Sequence, residues 1–288
     1  MASSATTDRT IVTRRPSFGP TFAELDRHFA ADADVVMSHA IAVLSAVFPD
    51  GEDYFVRTVR AVRDEITDPD LLRKVAGFIG QEALHGREHR ALNDRLAELG
   101  YPTKRIERFV RWGLGTRERL LPSHANLAST AALEHITATI AEVILRDDEA
   151  RRLVGSPEVL DLLLWHAVEE CEHKAVAFDV YRAVGGSERT RVLVMNATLA
   201  GFIVGMTLQL LGSLVRDPAV RERGRLVESA RRFLGSPFLR RSTWRRFLDY
   251  NRHDFHPDDH DTDALLAGWR EELFGADGRL NDKLTSAA

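Results

Sequence analysis

Apolar residues recur every three or four positions along almost the whole chain, and this spacing places them on one face of a helix. No segment alternates apolar and polar residues over a length that would predict a strand. The pattern therefore predicts an all-α protein. The predicted helices cover residues 32–48, 52–66, 70–98, 104–119, 123–147, 157–183, 190–215, 218–234, 240–250 and 262–273.

Short runs of Gly, Pro, Ser and Asp separate many of these helices, at residues 67–69, 100–102, 121–123, 155–157, 185–187 and 235–237. Proline suits the first turn of a helix because it has no N–H to leave unpaired. No polar, Pro-rich run is long enough to separate two domains. The sequence therefore predicts one helical domain over residues 21–215, residues 216–288 as a helical appendage of the same domain, and residues 1–20 as a flexible tail.

The segment 192–215 has 24 residues and no charge, which exceeds the roughly 20 apolar residues that cross a bilayer. Gly201 and Gly205 form the G-x-x-x-G spacing of closely packed membrane helices. Polar residues such as Asn196 and Gln209 equally suit a fully buried helix of an all-α protein. The ten arginines and three acids of residues 216–246 fit either an anionic lipid surface or a solvated helix face.

The composition is that of an ordinary globular protein and gives no sign of a nucleic-acid-binding one. The chain is 44% hydrophobic and 28% charged, as in ordinary globular proteins, and its net charge of −4 gives no basic excess for nucleic acid. The lone Cys171 excludes an internal disulfide and suits a reducing compartment. Residues 1–20 lack the apolar run of a secretory signal. We therefore expect a cytoplasmic protein, with membrane association through residues 192–215 as the alternative.

A Glu-x-x-His pair occurs twice, as Glu82 and His85 in QEALHGREH and as Glu170 and His173 in WHAVEECEH. Residues three apart lie on one helix face, so each pair can direct its carboxylate and imidazole inward. Two single glutamates are added to these candidates by their distance from the turns, because residues equally far from the turn of an antiparallel helix pair lie at the same level. Glu52 and the first pair have their midpoint near residue 68, and Glu134 and the second pair near residue 153; both midpoints lie at turn signals.

Two such hairpins predict four carboxylates and two imidazoles around one centre. Hard oxygen donors with one imidazole per ion suit iron or manganese, and bridging carboxylates offset the charge of two divalent ions. We therefore predict two bound metal ions. Iron is favoured, manganese or a mixed iron–manganese pair is the alternative, and zinc is less favoured. Cys171 is predicted to be a small buried hydrophobe rather than a ligand.

Further polar residues surround the predicted ligands. Glu169, His89, His135 and His166 are predicted to support the ligands or to face the substrate, although hydrogen-bonded core histidines would give the same pattern. His85, Glu88 and His89 also spell His-x-x-Glu-His, the zinc-peptidase motif, which would leave the second Glu-x-x-His pair unused. A late group is interpreted as a turn and helix cap: His253, His256, Asp258, Asp259, His260 and Asp261.

The ligand order Glu, Glu-x-x-His, Glu, Glu-x-x-His resembles that of ferritin-like carboxylate-bridged di-metal proteins. The motifs FPDGEDYFVRTVR, FIGQEALHGREH, WHAVEECEHKAVAFDVY and YNRHDFHPDDHDTDALLAGW are similar to those of a bacterial family described as predicted metal-dependent hydrolases. The similarity spans roughly residues 35–270. It implies a ferritin-like four-helix bundle with flanking helices, and metal ligands at Glu52, Glu82, His85, Glu134, Glu170 and His173.

Three functions remain open from the sequence. The first is an O2-activating di-iron oxidoreductase that hydroxylates, desaturates or N-oxidises a small, hydrophobic substrate with the help of an electron donor. The second is a metal-dependent hydrolase that uses a metal-activated water. The third is a non-enzymatic metal-binding or membrane-associated helical protein. Oligomer formation stays open, and no nucleic-acid partner is expected.

Overall fold

The computed structural model describes residues 11–285, which contain eleven α-helices and no strand; the only β-type pairing among them is an isolated bridge between Pro16 and Leu284. The prediction of an all-α protein is confirmed. The helices are α1 Val35–Arg60, α2 Pro69–Glu98, α3 Thr103–Leu120, α4 Ser123–Arg146, α5 Asp148–Val154, α6 Pro157–His173, α7 Val176–Ala183, α8 Glu188–Leu214, α9 Arg225–Gly235, α10 Arg241–Asp249 and α11 Asp263–Phe274.

The two predicted helices 32–48 and 52–66 are one helix, α1, which contains Pro49. Proline lacks the N–H that would bond the carbonyl four residues earlier, which belongs to Ser45. The side-chain amide of Asn93 on α2 replaces that donor, with Nδ2 3.1 Å from the Ser45 carbonyl oxygen. The helix therefore continues through the proline because a neighbouring helix satisfies the freed carbonyl.

Three other boundaries differ from the prediction. The predicted helix 157–183 is divided at Lys174 into α6 and α7. The additional helix α5 lies between α4 and α6, where the side chain of Asp147 caps it by accepting from two backbone N–H groups. Only the later part of the predicted helix 218–234 is α-helical, as α9. Short capped segments of this kind have too few residues to show a clear apolar period.

Four helices surround the part of the core that contains the Glu-x-x-His pairs. Helix α1 packs along α2, and α4 packs along α6; α1 also contacts α4, and α2 contacts α6. The connections between the partners end with N-cap residues, Asp68 before α2 and Ser156 before α6, each followed by proline. Helix α8 packs across α1 and α4.

The N-terminal segment differs from the predicted flexible tail. Residues 1–10 lie outside the described residues, but residues 11–20 pack on the helices, and the Phe18 side chain is fully buried. The backbone passes close to two glycines of α2, where a Cβ on Gly77 would lie 2.7 Å from the Ile11 Cβ and one on Gly80 2.7 Å from the Thr13 hydroxyl. Glycine at these positions allows the close approach.

Helix α8 is not the fully buried helix that was one alternative for residues 192–215. One of its sides, with Met195 and Leu199, is buried, whereas Val204, Leu208 and Leu211 are exposed. It is the one helix in the described part of the chain that is long and apolar enough to cross a membrane, with a mean hydropathy of 1.6. Length and composition alone do not separate such a helix from a surface helix.

Candidate metal centre

The four carboxylates and two imidazoles predicted as ligands lie in one buried region. Glu52 comes from α1, Glu82 and His85 from α2, Glu134 from α4, and Glu170 and His173 from α6. Each of the six residues is at most 2% exposed. Both Glu-x-x-His pairs therefore point into the space between the helices, as their distances from the turns predict.

Imidazole nitrogens and carboxylate oxygens approach one another closely, both between helices and within α2 and α6. His173 Nε2 lies 3.0 Å from Glu82 Oε1, 3.4 Å from Glu134 Oε2 and 3.6 Å from Glu170 Oε1. His85 Nδ1 lies 3.7 Å from the same Glu170 oxygen and 3.9 Å from Glu82 Oε2. Glu170 Oε1 thus faces both histidines and joins the two halves of the centre.

Two groups of three residues each bring one donor atom per residue to within 4.8 Å of the others, and Glu134 belongs to neither group. One group consists of Glu82, Glu170 and His173, and the other of Glu52, His85 and His166. His166 was predicted only to support the ligands or face the substrate, whereas its ring lies within this second group.

Nine atoms of the six predicted ligands are buried without a hydrogen-bond partner. They are both carboxylate oxygens of Glu52, Glu82 and Glu134, one oxygen of Glu170, His85 Nδ1 and His173 Nε2. A buried polar atom without a partner costs on the order of 1–3 kcal/mol, so nine of them in one region are not a stable end state for the residues alone. Cations placed among these atoms would satisfy them, and the donor set therefore fits metal ions.

Burial sets the protonation of the centre. Burial, together with the neighbouring Glu134 charge, raises the pKa of Glu82 to about 8, and burial raises the pKa of Glu134 to about 7. Burial and the neighbouring His166 hold the pKa of His85 well below its ordinary value, so its imidazole is neutral. Burial also disfavours the charged form of Glu170, but the neighbouring imidazoles of His166 and His173 outweigh it and lower the pKa of this carboxyl.

Residues outside the six set the orientation of both predicted histidine ligands. His85 Nε2 lies 3.1 Å from Glu169 Oε2, so a proton on Nε2 leaves the Nδ1 lone pair facing the centre. Glu169 is held in turn by Arg14, whose guanidinium lies 3.1 Å from Glu169 Oε1. The Nδ1–H of His173 donates to Gln81 Oε1 at 2.8 Å, because the Gln81 amide nitrogen is used as a donor elsewhere.

The profile of a protein family described as "Predicted metal-dependent hydrolase" matches residues 12–261, most of the chain. The chain belongs to the predicted metal-dependent hydrolase family. The resemblance found in the sequence motifs is thereby confirmed, and the description of the family favours the hydrolytic alternative over the oxidative reaction placed first. No curated protein and no solved structure matches the chain.

The zinc-peptidase arrangement is not formed in this hydrolase-family chain. The Glu88 carboxylate accepts from the Phe18 N–H at 2.7 Å, and both ring nitrogens of His89 face hydrogen-bond partners, Ser45 and His166. Neither residue is free to share an ion with His85. The motif spacing alone was therefore misleading here.

His135 also lies apart from the donor groups. It was predicted to support the ligands or to face the substrate, but its Nε2 bonds the Arg246 carbonyl at 2.8 Å, and its ring packs on Tyr250 and Phe255. As a neighbour of Glu134 on α4 it points toward α10 instead of the centre, because adjacent helix residues differ by about 100°. It is a core histidine with a backbone partner.

Two other clusters of potential ligands are occupied by interactions within the chain. In the late segment, His256 pairs with Asp179, and Asp261 accepts from a backbone N–H at the start of α11, as expected for a turn and cap. A further group, His28, His39 and Asp217, is close enough for an ion. Arg27 already contributes positive charge to Asp217 at 3.2 Å, and we interpret this group as an ionic network that joins α1 to the end of α8.

The sequence analysis missed Arg14, Gln81 and Glu172. Arg14 donates to both Glu172 oxygens, at 2.9 and 2.8 Å, and Gln81 Nε2 donates to Glu172 Oε2 at 2.9 Å. The positions of Gln81 next to Glu82 and of Glu172 next to His173 are the only sequence signals for them. For Arg14 there is none, because its contact spans 155 residues.

Replacing Arg14 with alanine is expected to weaken metal binding about 10- to 100-fold, the usual effect of losing a residue that orients a ligand. Without the guanidinium, the Glu169 carboxylate loses its ion pair and fixes the orientation of the His85 ring less well. Isothermal titration with Mn²⁺ measures the change. Arg15→Ala is the matched control, since Arg15 is exposed. If both variants bind Mn²⁺ with the wild-type affinity, the N-terminal segment does not support the metal centre.

Proposed function

We propose that this chain is a metal-dependent hydrolase that holds two divalent ions in a ferritin-like four-helix arrangement of α1, α2, α4 and α6. The proposed ligands are the six predicted residues, Glu52, Glu82, His85, Glu134, Glu170 and His173. The observation that carries the proposal is the set of nine buried, unpartnered donor atoms on these six side chains. Four carboxylates also balance the charge of two divalent ions, which makes the filled centre electrically neutral.

Bound ions in such a site supply Lewis-acid activation of water, or redox chemistry when they are iron. The residues of the chain would orient the ligands and keep them in the protonation state that binds an ion. Burial keeps His85 neutral, so its lone pair is available to an ion. Glu169 and Gln81 fix the rings of the two histidines. The helices exclude bulk water, which strengthens every electrostatic interaction in the centre.

An apolar cavity of about 410 Å³ lies about two helix turns from the centre, with no proposed ligand in its lining, and supports a hydrophobic small-molecule substrate. It is lined by α1, α4, α6 and α8, including Ile41, Ser45, Ile140, Leu163 and Phe202. Leu163 lies one turn before His166, and Ser45 lies two turns, about 10 Å, before Glu52. A substrate in this cavity would have its apolar part next to α8 and its reacting group toward the ions.

The proposal predicts hydrolysis of apolar esters by metal-loaded protein. Metal-free protein is loaded anaerobically with Zn²⁺, Mn²⁺ or Fe²⁺ and assayed with nitrophenyl esters of increasing acyl length. We expect metal-dependent turnover that rises with chain length until the cavity is full. Leu163→Trp, which fills the cavity, should lose the preference for long chains about tenfold. Absence of turnover with every metal would contradict hydrolysis.

An oxidative reaction is the second candidate. The donor set favours it, because four carboxylates without a thiolate suit iron, and Cys171 is a buried thiol whose pKa burial raises to about 12. Oxygen consumption by the iron-loaded protein together with an apolar substrate and a reductant would support this candidate. Full turnover with redox-inert Zn²⁺ under anaerobic conditions would remove it.

A peripheral location at the cytoplasmic membrane surface completes the proposal. The exposed apolar residues of α8 are followed in the chain by exposed basic residues such as Arg216 and Arg223, a combination that favours an anionic lipid surface. On α3, Trp112 is also exposed. Sedimentation with phosphatidylserine vesicles tests the proposal, and a protein that stays in the supernatant at low salt would contradict it.

A further inference from the structure

A chain of hydrogen bonds starts at Asn93 and has a fixed direction. Its amide Nδ2 faces two oxygens that can only accept, the Ser45 carbonyl at 3.1 Å and Oε1 of Glu107 at 3.0 Å. The other oxygen of Glu107 accepts from the Lys104 ammonium at 3.1 Å. Asn93 Oδ1 must therefore face the Ser45 hydroxyl, 2.8 Å away, and the single hydroxyl hydrogen of Ser45 is used in this bond.

The next bond follows from the first. Ser45 Oγ also lies 2.9 Å from His89 Nδ1, and the hydroxyl has no second hydrogen to donate. His89 must therefore donate from Nδ1. Because this imidazole is fully buried among Phe48 and other apolar groups, it is neutral, and its other nitrogen, Nε2, has a lone pair.

The third bond fixes His166. Its Nδ1 lies 2.7 Å from His89 Nε2, so the Nδ1 of His166 is the donor. This leaves Nε2 of His166 as the ring nitrogen available to an ion. That atom faces the metal centre, 2.9 Å from Glu170 Oε1 and 4.0 Å from Glu52 Oε1, and the ring stacks on His85 with 4.1 Å between centroids.

Nε2 of His166 and Oε1 of Glu170 are within hydrogen-bond distance at 2.9 Å, and an ion that replaced the shared proton would be held by the same two atoms. The same geometry is found at His85 and His173, where Glu169 and Gln81 hold the outer nitrogen and the inner nitrogen faces the carboxylates. His166 is therefore prepared in the same way as the two histidines of the Glu-x-x-His pairs, with His89 in the position of the outer partner.

We propose that His166 is a third histidine ligand of the metal centre, held in the ligating tautomer by His89, Ser45 and Asn93. The inference rests on the proposed two-metal centre. It gives the two ions different ligand sets. One ion would have His85, His166 and Glu52 beside it, and the other His173, Glu82 and Glu134, with Glu170 between them. Nitrogen-rich donors favour metals late in the divalent series, whereas oxygen-rich donors suit manganese.

The proposal is tested first by metal binding. Wild-type protein, His166→Ala and His166→Gln are titrated anaerobically with Co²⁺, and the d–d absorption and the bound Co²⁺ per chain are measured. We expect two bound ions in the wild type. Either variant should bind one of them at least 100-fold more weakly, with a changed spectrum. His135→Ala removes a buried histidine outside the centre and should keep the wild-type spectrum and both ions.

A second measurement needs no variant. In protein labelled with ¹⁵N-histidine, Zn²⁺ loading should shift the inner nitrogens of three histidines: Nδ1 of His85, Nε2 of His173 and Nε2 of His166. Shifts at His85 and His173 alone, or a His166→Gln variant with two unchanged binding constants, would overturn the role of His166 and leave the two-metal centre in place. A wild-type protein that binds no ion would overturn the centre itself.

Discussion

Replacing Glu170 with glutamine is expected to abolish tight binding of both metal ions and with it all metal-dependent turnover. Oε1 of Glu170 faces His85, His166 and His173 at 3.7, 2.9 and 3.6 Å, so this carboxylate lies against histidines of both donor groups. Glutamine keeps the size of the side chain but removes its charge. We expect metal affinity to fall by more than the 10- to 100-fold that the loss of an orienting residue causes.

The matched control is Glu142→Gln. Glu142 is also a buried carboxylate of the same region of the chain, 3% exposed on α4, but it pairs with Arg146 and Arg246 away from the donor groups. Metal content after gel filtration and turnover should remain at wild-type values in this variant. If Glu170→Gln retains two ions per chain, the centre is not built around this carboxylate, and the proposed function fails with it.

The metal-free protein is expected to lose stability as the pH rises from 6.5 to 8. Burial raises the pKa of Glu82 to about 8 and that of Glu134 to about 7, from about 4.5 in the unfolded chain. In this window the folded state therefore holds protons that the unfolded state has released, and the free energy of unfolding falls with pH. The expected loss is on the order of 2 kcal/mol, or roughly 5 °C in Tm.

The histidines do not reverse this trend. His85 and His89 have pKa values held well below their ordinary value by burial, so they are neutral in the folded state. In the unfolded chain they release their remaining protons just above pH 6.5, and the resulting gain in stability is smaller than the loss from the carboxyls. Nearby carboxylates outweigh burial and raise the pKa of His173, which adds to the loss. Thermal unfolding followed by circular dichroism, with chelator and with excess Mn²⁺, tests this expectation.

Metal at 1,000 times its dissociation constant should add about 4 kcal/mol and reverse the order of stability with pH, because ion binding requires the deprotonated ligands. A metal-free protein with constant Tm across this range would show that the carboxylates are already ionised in the fold. That result would contradict the expectation that the buried carboxyls of Glu82 and Glu134 are protonated in the metal-free protein.

The sequence predicts the helical class and the meeting of the six side chains, for a physical reason. Helix rise is constant, so equal distances from a turn place Glu52 level with the first Glu-x-x-His pair and Glu134 level with the second. The break expected at Pro49 was wrong because the compensating donor, Asn93, lies on another helix. Local sequence patterns carry no signal for such contacts.

The same limit explains the supporting residues. His166 and His89 stand four residues from predicted ligands, so spacing predicts that they share the inner face, but only the directions of the hydrogen bonds distinguish a supporting group from a candidate ligand. Glu169 was predicted to support a ligand or face the substrate, and the structure places it on His85. Whether the six predicted residues bind metal remains a prediction.

The passage of residues 11–20 over the glycines of α2 has a consequence for dissecting this protein. A shortened chain that begins at residue 21, the boundary suggested by sequence, would keep every helix and every donor atom. It would nevertheless lack the Val12 carbonyl that holds Gln81, the Arg14 guanidinium on Glu169 and the Phe18 N–H on Glu88. The smallest unit able to shape the candidate metal centre therefore includes an extended segment outside the bundle, residues 11–20, and engineering on this scaffold has to treat that segment as part of the interior.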